Sequence, residues 1–157
     1  MNEELIAANL AVVEAHFHSE AVNEVERALE LFTDDIVWES PVRGLRLRGK
    51  EEAGANYRRM FASFAVEGFE TLERFATQDR VVDDSRVTVT LVGDGVVNAP
   101  VPVGTRAEIR LLHIFEMRGG KISRELVFEH WRPAEAAAGQ VLRDAAASHA
   151  ERPEAVH

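Results

Sequence analysis

From about residue 69 the apolar residues stop recurring every three or four positions and begin to alternate. That switch of period constrains the fold more than any other feature of the chain. Strand-like runs cover roughly 69–82, 86–92, 105–117 and 121–131, with "DDS" at 83–85 and "RGG" at 118–120 suited to hairpin turns. Successive strand side chains point to opposite faces, so Ile109, Leu111, His113, Phe115 and Met117 share one face. Glu125, Val127, Glu129 and Trp131 likewise share a face. Upstream the period is helical. Ile6, Leu10, Val13 and Phe17 mark a first helix, capped by Asn2, and Val22, Val25, Leu29 and Phe32 a second. Ala53, Tyr57, Met60 and Phe64 mark a third. Between the second and third, residues 36–40 read as a short strand that stops at Pro41, with Trp38 and Ser40 on one face and Glu39 on the other. Asp34 and Asp35 read as a turn before it. Helices first, then antiparallel strands, predict an α+β domain.

The chain has 157 residues, enough for one domain with a sizeable core. The domain is expected over 1–135, with 136–157 as a C-terminal helical or frayed tail. The net charge of −9 argues against nucleic acid as a partner. The basic run "RGLRLRGK" at 43–50 reads as a solvated loop or as a contact for an acidic ligand. No stretch reaches the length of a membrane span. The N-terminal residues lack the basic and apolar regions of a secretory signal, so a cytoplasmic location is expected. There are no cysteines, and no His, Asp and Glu cluster has metal-ligand spacing, so neither a metal nor an organic cofactor is expected. The connection 93–105 is long for a hairpin. It reads as a flap over a pocket, an oligomer contact or a mobile segment.

The order helix, helix, "FTDDIVWESP", "RGKEEAGANYRRMF", then strands ending in "HIFEMRGGKISRELVFEHW" resembles the SnoaL-like branch of the nuclear transport factor 2-like superfamily, over about residues 5–132. The resemblance implies a cone-shaped, curved antiparallel sheet wrapped around three N-terminal helices and enclosing an apolar pocket. Members include polyketide cyclases, ketosteroid isomerases and limonene-type epoxide hydrolases. The position of the isomerases' catalytic aspartate is Ser40 here, and the positions of their oxyanion hole match His16 and His113, while the pocket tyrosine is kept as Tyr57. The Arg and two Asp of the epoxide hydrolases fall on Arg86, Thr88 and Glu129, so one carboxylate is lost. The aspartate of the aldol-type cyclases falls on Val127 or Glu129, depending on a bulge.

On this reading His113, Glu129 and Tyr57 are the catalytic candidates, and Trp38, Ser40, His16, Arg86, Phe115 and Met60 the substrate-binding ones. An imidazole changes charge near neutral pH, and a carboxylate in an apolar cavity gains basicity. The expected function is a polyketide cyclase of secondary metabolism. It would close a ring in an apolar polyketide or polyene, in a [4+2], indane-forming manner, by shape and hydrogen bonding. The alternatives are an acid–base aldol cyclase, an epoxide hydrolase, or a protein that binds a small molecule without turnover. The expected partners are an apolar small-molecule substrate and a second copy of the chain, paired through the sheet.

Overall fold

The computed structural model describes residues 2–134. The expected tail at 136–157 lies outside them. Helix α1 (Glu3–Ala21) starts where Asn2 Oδ1 accepts from the Leu5 amide at 3.1 Å. Its buried face carries Val13 and Phe17, as the periodicity predicts, but also Asn9 and His16. Asn9 is satisfied there by donating to the carbonyls of Thr77 and Gln78, at 3.3 and 2.9 Å. Helix α2 is only Val25–Glu30. Val22 lies outside it and exposed, and Phe32 already opens strand β1 (Phe32–Ser40). The "TDD" stretch is therefore strand, carried by a register irregularity between Phe32 and Val37. A single turn of 3-10 helix (Pro41–Arg43) leads to β2 (Leu45–Arg48), where the sequence suggested a loop, and then to α3 (Gly49–Ala62).

Four long strands follow: β3 (Phe64–Ala76), β4 (Arg80–Leu91), β5 (Arg106–Arg118) and β6 (Lys121–Pro133). The β3–β4 turn lies at 77–79 and not at 83–85. "DDS" stays inside β4 because Asp83, though fully buried, accepts from Arg74 Nε at 2.7 Å and from Ser85 Oγ. The β5–β6 turn is where the sequence places it, and Gly119 and Gly120 supply the two positive φ angles, 58° and 75°, that a tight hairpin needs. The sheet order is β2-β1-β6-β5-β4-β3. All pairings are antiparallel except β1 with β6, which is parallel.

The result is an α+β fold in which a curved, unclosed sheet wraps three helices. The main core joins α1, α2 and α3 to the sheet through Val13, Leu29, Phe32, Ile36 and Tyr57. A smaller apolar cluster of Val87, Val89 and Ile109 lies farther along β4 and β5. Among the described residues no helix is long and apolar enough to cross a membrane.

Candidate functional site

A cavity of about 380 Å³ is lined by the inner faces of β3 to β6 and by α1 and α3. That volume is in the range of small-molecule sites. Its walls are mostly apolar: Phe17, Trp38, Phe64, Phe69, Val89, Leu111 and Val127 among others. Two groups of polar side chains interrupt them.

The first group centres on Glu125. A bulge opposite Glu116 and Met117 sets the parity of β6, so that Glu125, Val127, Glu129 and Trp131 all line the cavity. The Glu125 side chain is almost fully buried, and its Oε2 accepts from the Tyr57 hydroxyl at 2.7 Å. The same oxygen lies 3.3 Å from His16 Nε2, which is itself 3.0 Å from Glu20 Oε1. Burial opposes a charge on His16, but the carboxylates of Glu20 and Glu125 outweigh it and raise its pKa from 6.5 to about 10. Burial would also raise the Glu125 carboxyl. The His16 imidazolium and the Tyr57 hydrogen bond more than offset that, and hold it below its ordinary value. Burial and the neighbouring carboxylates push the Tyr57 phenol well above its ordinary value, so it stays a donor. Glu125 is therefore an ionised carboxylate with Oε2 occupied and Oε1 accepting no hydrogen bond from the described residues.

His113 faces Oε1 at 3.8 Å through Nε2, and its Nδ1 lies 3.7 Å from Asp83. Neither distance is a hydrogen bond. The ring is fixed instead by stacking on Phe115, with centroids 5.5 Å apart and planes 8° from parallel, and by the edge of Phe17. Asp83 is held below its ordinary carboxylate value: burial opposes this, and His113, Ser85 and Arg74 outweigh it.

The second group centres on Glu129. Its Oε1 accepts from Ser40 Oγ at 3.0 Å and from Arg43 Nε at 3.1 Å, and its Oε2 accepts from Trp131 Nε1 at 2.8 Å. Arg43 is buried, lies over the Trp38 ring at 5.4 Å, and donates to the Val97 carbonyl at 3.2 Å.

The cavity thus gathers Trp38, Tyr57, Met60, His113 and Glu129 from the sequence-derived candidates. His16 and Ser40 stand one contact behind the wall, touching Glu125 and Glu129 respectively. Phe115 is core, backing His113. Arg86 does not belong to the site. With β4 running straight through 83–85, Asp83, Ser85 and Val87 face inward, and Arg86 points outward to pair with Glu70 at 2.5 Å. Glu39 also points away from Trp38, and accepts from Arg124 Nε at 2.9 Å.

Sequence reasoning missed Glu125, Arg43 and Asp83. Glu125 shares the alternation of Glu129 and was legible from it. Arg43 was hidden in a basic run, and Asp83 in an apparent turn. No residue of 93–105 lines the cavity. The segment packs instead on α3, where Gly95 lies so close that a Cβ would collide with the Arg59 carbonyl, and its Asn98 donates to the Arg43 carbonyl at 2.8 Å. Folding also brings donor atoms of His16, Glu20 and Glu125 within 4.8 Å of one another, a set able to hold a cation that linear spacing did not suggest. His16 Nδ1 is buried without a partner, so the second-nitrogen hydrogen bond that usually orients a metal-bound imidazole is missing here.

Solved structures share the fold. An LEH-like epoxide hydrolase from M. tuberculosis is 18% identical, with 94% of this chain and 98% of that one covered at a TM-score of 0.62. A candidate polyketide cyclase from Xanthomonas campestris pv. campestris is 17% identical, with 79% and 91% covered at 0.65. A Mycobacterium tuberculosis protein in complex with estradiol-17beta-hemisuccinate is 20% identical, with 80% and 94% covered at 0.61. No curated protein matches the chain by sequence. The model of the SnoaL-like domain matches residues 5–125, most of the described fold and both helical walls of the cavity, and the chain belongs to that family.

Proposed function

We propose that the chain is a cyclase acting on an apolar, polyketide-type molecule, and that it works by proton transfer at Glu125. The observation that supports this best is an ionised, nearly buried carboxylate with one free oxygen, facing an apolar cavity. Tyr57 and His16 fix Oε2, so Oε1 is aimed and available. A carboxylate held below its ordinary pKa is a weak base. It suits only an acidic carbon, such as one flanked by carbonyl groups. Glu125 takes the proton from that carbon, and the C–H electron pair passes into an enolate. The enolate carbon then bonds to a second carbonyl carbon of the same molecule. The new alkoxide takes the proton back from Glu125, so no proton is gained or lost. The apolar walls hold the chain folded for that attack. Cyclisation by shape alone, with Tyr57 polarising a substrate carbonyl, is less well supported, because the Tyr57 hydroxyl already donates to Glu125. The outward position of Arg86 removes a residue that an epoxide hydrolase of the family would need. The estradiol ester bound by a relative of the same fold is in keeping with a flat apolar ligand.

The outer sheet face is proposed as the contact with a second copy. Leu112 and Phe128, register partners on β5 and β6, are both exposed there.

The test is deuterium exchange at the carbon between the two carbonyl groups of 2-acetyl-1-tetralone, together with ring closure of an open-chain triketone by aldol addition. Wild type should accelerate both, and Glu125→Gln should lose about 100- to 10,000-fold. Equal rates in wild type and variant would overturn the proposal.

A further inference from the structure

The Arg43–Glu129 pair has no part in the proton transfer at Glu125. The two carboxylates stand four positions apart along β6, about 13 Å at the rise of an extended strand. Yet both partners of the pair line the cavity with almost fully buried side chains. A buried ion pair is rarely retained for stability, since well-packed apolar residues serve as well.

The unused hydrogen-bonding capacity of this pair is specific. Arg43 spends Nε on Glu129 and Nη1 on the Val97 carbonyl, while among the described residues Nη2 meets only the Met60 sulfur, at 3.7 Å. Sulfur is a weak acceptor, so the Nη2 hydrogens are nearly free. Glu129 Oε1 accepts twice, from Ser40 and Arg43, but Oε2 accepts once, from Trp131, and keeps a lone pair. A strong donor and a strong acceptor, each with spare capacity, therefore belong to one ion pair in an apolar wall, and their charges cancel.

We propose that Arg43 and Glu129 form a second subsite that binds an enol or phenol hydroxyl of the ligand. The hydroxyl hydrogen goes to Glu129 Oε2, and the hydroxyl oxygen accepts from Arg43 Nη2. An ether oxygen can satisfy only Arg43. A carboxylate satisfies Arg43 but meets Glu129 with like charge. The subsite thus selects a neutral hydroxyl at the end of the molecule remote from the reacting carbon. Segment 93–105 contributes through Arg43, holding its guanidinium by Val97 and its backbone by Asn98, and not as a lid. The inference rests on the cavity holding the ligand proposed above, and not on the reaction at Glu125.

The chain has two tryptophans, Trp38 and Trp131, both on the cavity wall, and Trp131 donates to Glu129. A ¹H–¹⁵N spectrum therefore shows two indole signals, one of which reports the subsite. The probes are naphthol, methoxynaphthalene and naphthoate, substituted at the same ring position. Naphthol should shift the Trp131 signal and bind about tenfold or more tighter than methoxynaphthalene, as expected for hydrogen bonds to charged groups. Naphthoate should bind most weakly. Arg43→Met and Glu129→Gln should each abolish the preference for naphthol, and Glu125→Gln should keep it. If Arg43→Met fails to fold, the wild-type series and Glu129→Gln still decide. Equal binding of naphthol and methoxynaphthalene by wild type overturns the subsite, as does a preference that survives Glu129→Gln. Either result leaves the exchange assay on Glu125 untouched, so the two proposals fail separately.

Discussion

Raising the pH from 6.5 to 10 should remove a large part of the protein's stability, through one residue. His16 has a pKa of about 10 in the fold, against 6.5 when unperturbed. Its folded value is the higher one, so the stabilisation is complete below pH 6.5 and is lost as the pH rises through about 10. At about 1.4 kcal/mol per pKa unit, that interval corresponds to about 5 kcal/mol at most. Domains of this kind are stable by about 5–15 kcal/mol, so the loss should be plain. The assay is urea denaturation of wild type and His16→Gln at several pH values in that window. The wild-type advantage should be greatest near pH 6.5 and should shrink steadily as the pH approaches 10. Glu125 acts at the other end. Its folded value lies below 4.5, so its contribution is present above that pH and is lost as the pH falls through the folded value. Wild-type and variant curves that run parallel across the alkaline window would show that His16 carries no charge in the fold. The ionised state assigned to Glu125 would then lose the largest of the effects that hold its carboxyl down.

Three other outcomes follow from the same geometry. Val127→Trp should fill the cavity and weaken 2-acetyl-1-tetralone binding by at least about tenfold, at an overpacking cost of about 1–3 kcal/mol measured by urea denaturation. Asp83→Ala should destabilise the fold by about 1–3 kcal/mol, because it removes the buried acceptor of Arg74 Nε and Ser85 Oγ while Arg74 keeps Glu14; a thermal melt measures this. Phe128→Asp should leave the melting curve nearly unchanged but convert the proposed dimer to monomer in size-exclusion chromatography, and a wild type that is already monomeric would refute the pairing.

The sequence by itself determined the order of the helices and the long strands, because periods of 3.6 and 2 are local properties that few tertiary contacts override, but it missed the short β2 and misplaced the β3–β4 turn. It also determined which face of β5 is internal, and so placed His113, Phe115 and Met117 together. It named Tyr57, Trp38 and Glu129 through their element faces together with the positions that the family resemblance matches. Tertiary structure alone decided where charge is tolerated inside. Asp83 reads as a turn residue until Arg74, Ser85 and His113 are brought around it, and only then can the strand continue and turn Arg86 outward. Arg43 reads as one of several solvated basic residues until the return of β6 sets Glu129 beside it. The ionisation of Glu125 depends on His16 and Tyr57, which lie 109 and 68 positions away in the chain. Charge–charge energies vary with distance and burial, and both are set by which strands pair and where a bulge shifts the register. No local pattern of residues records them.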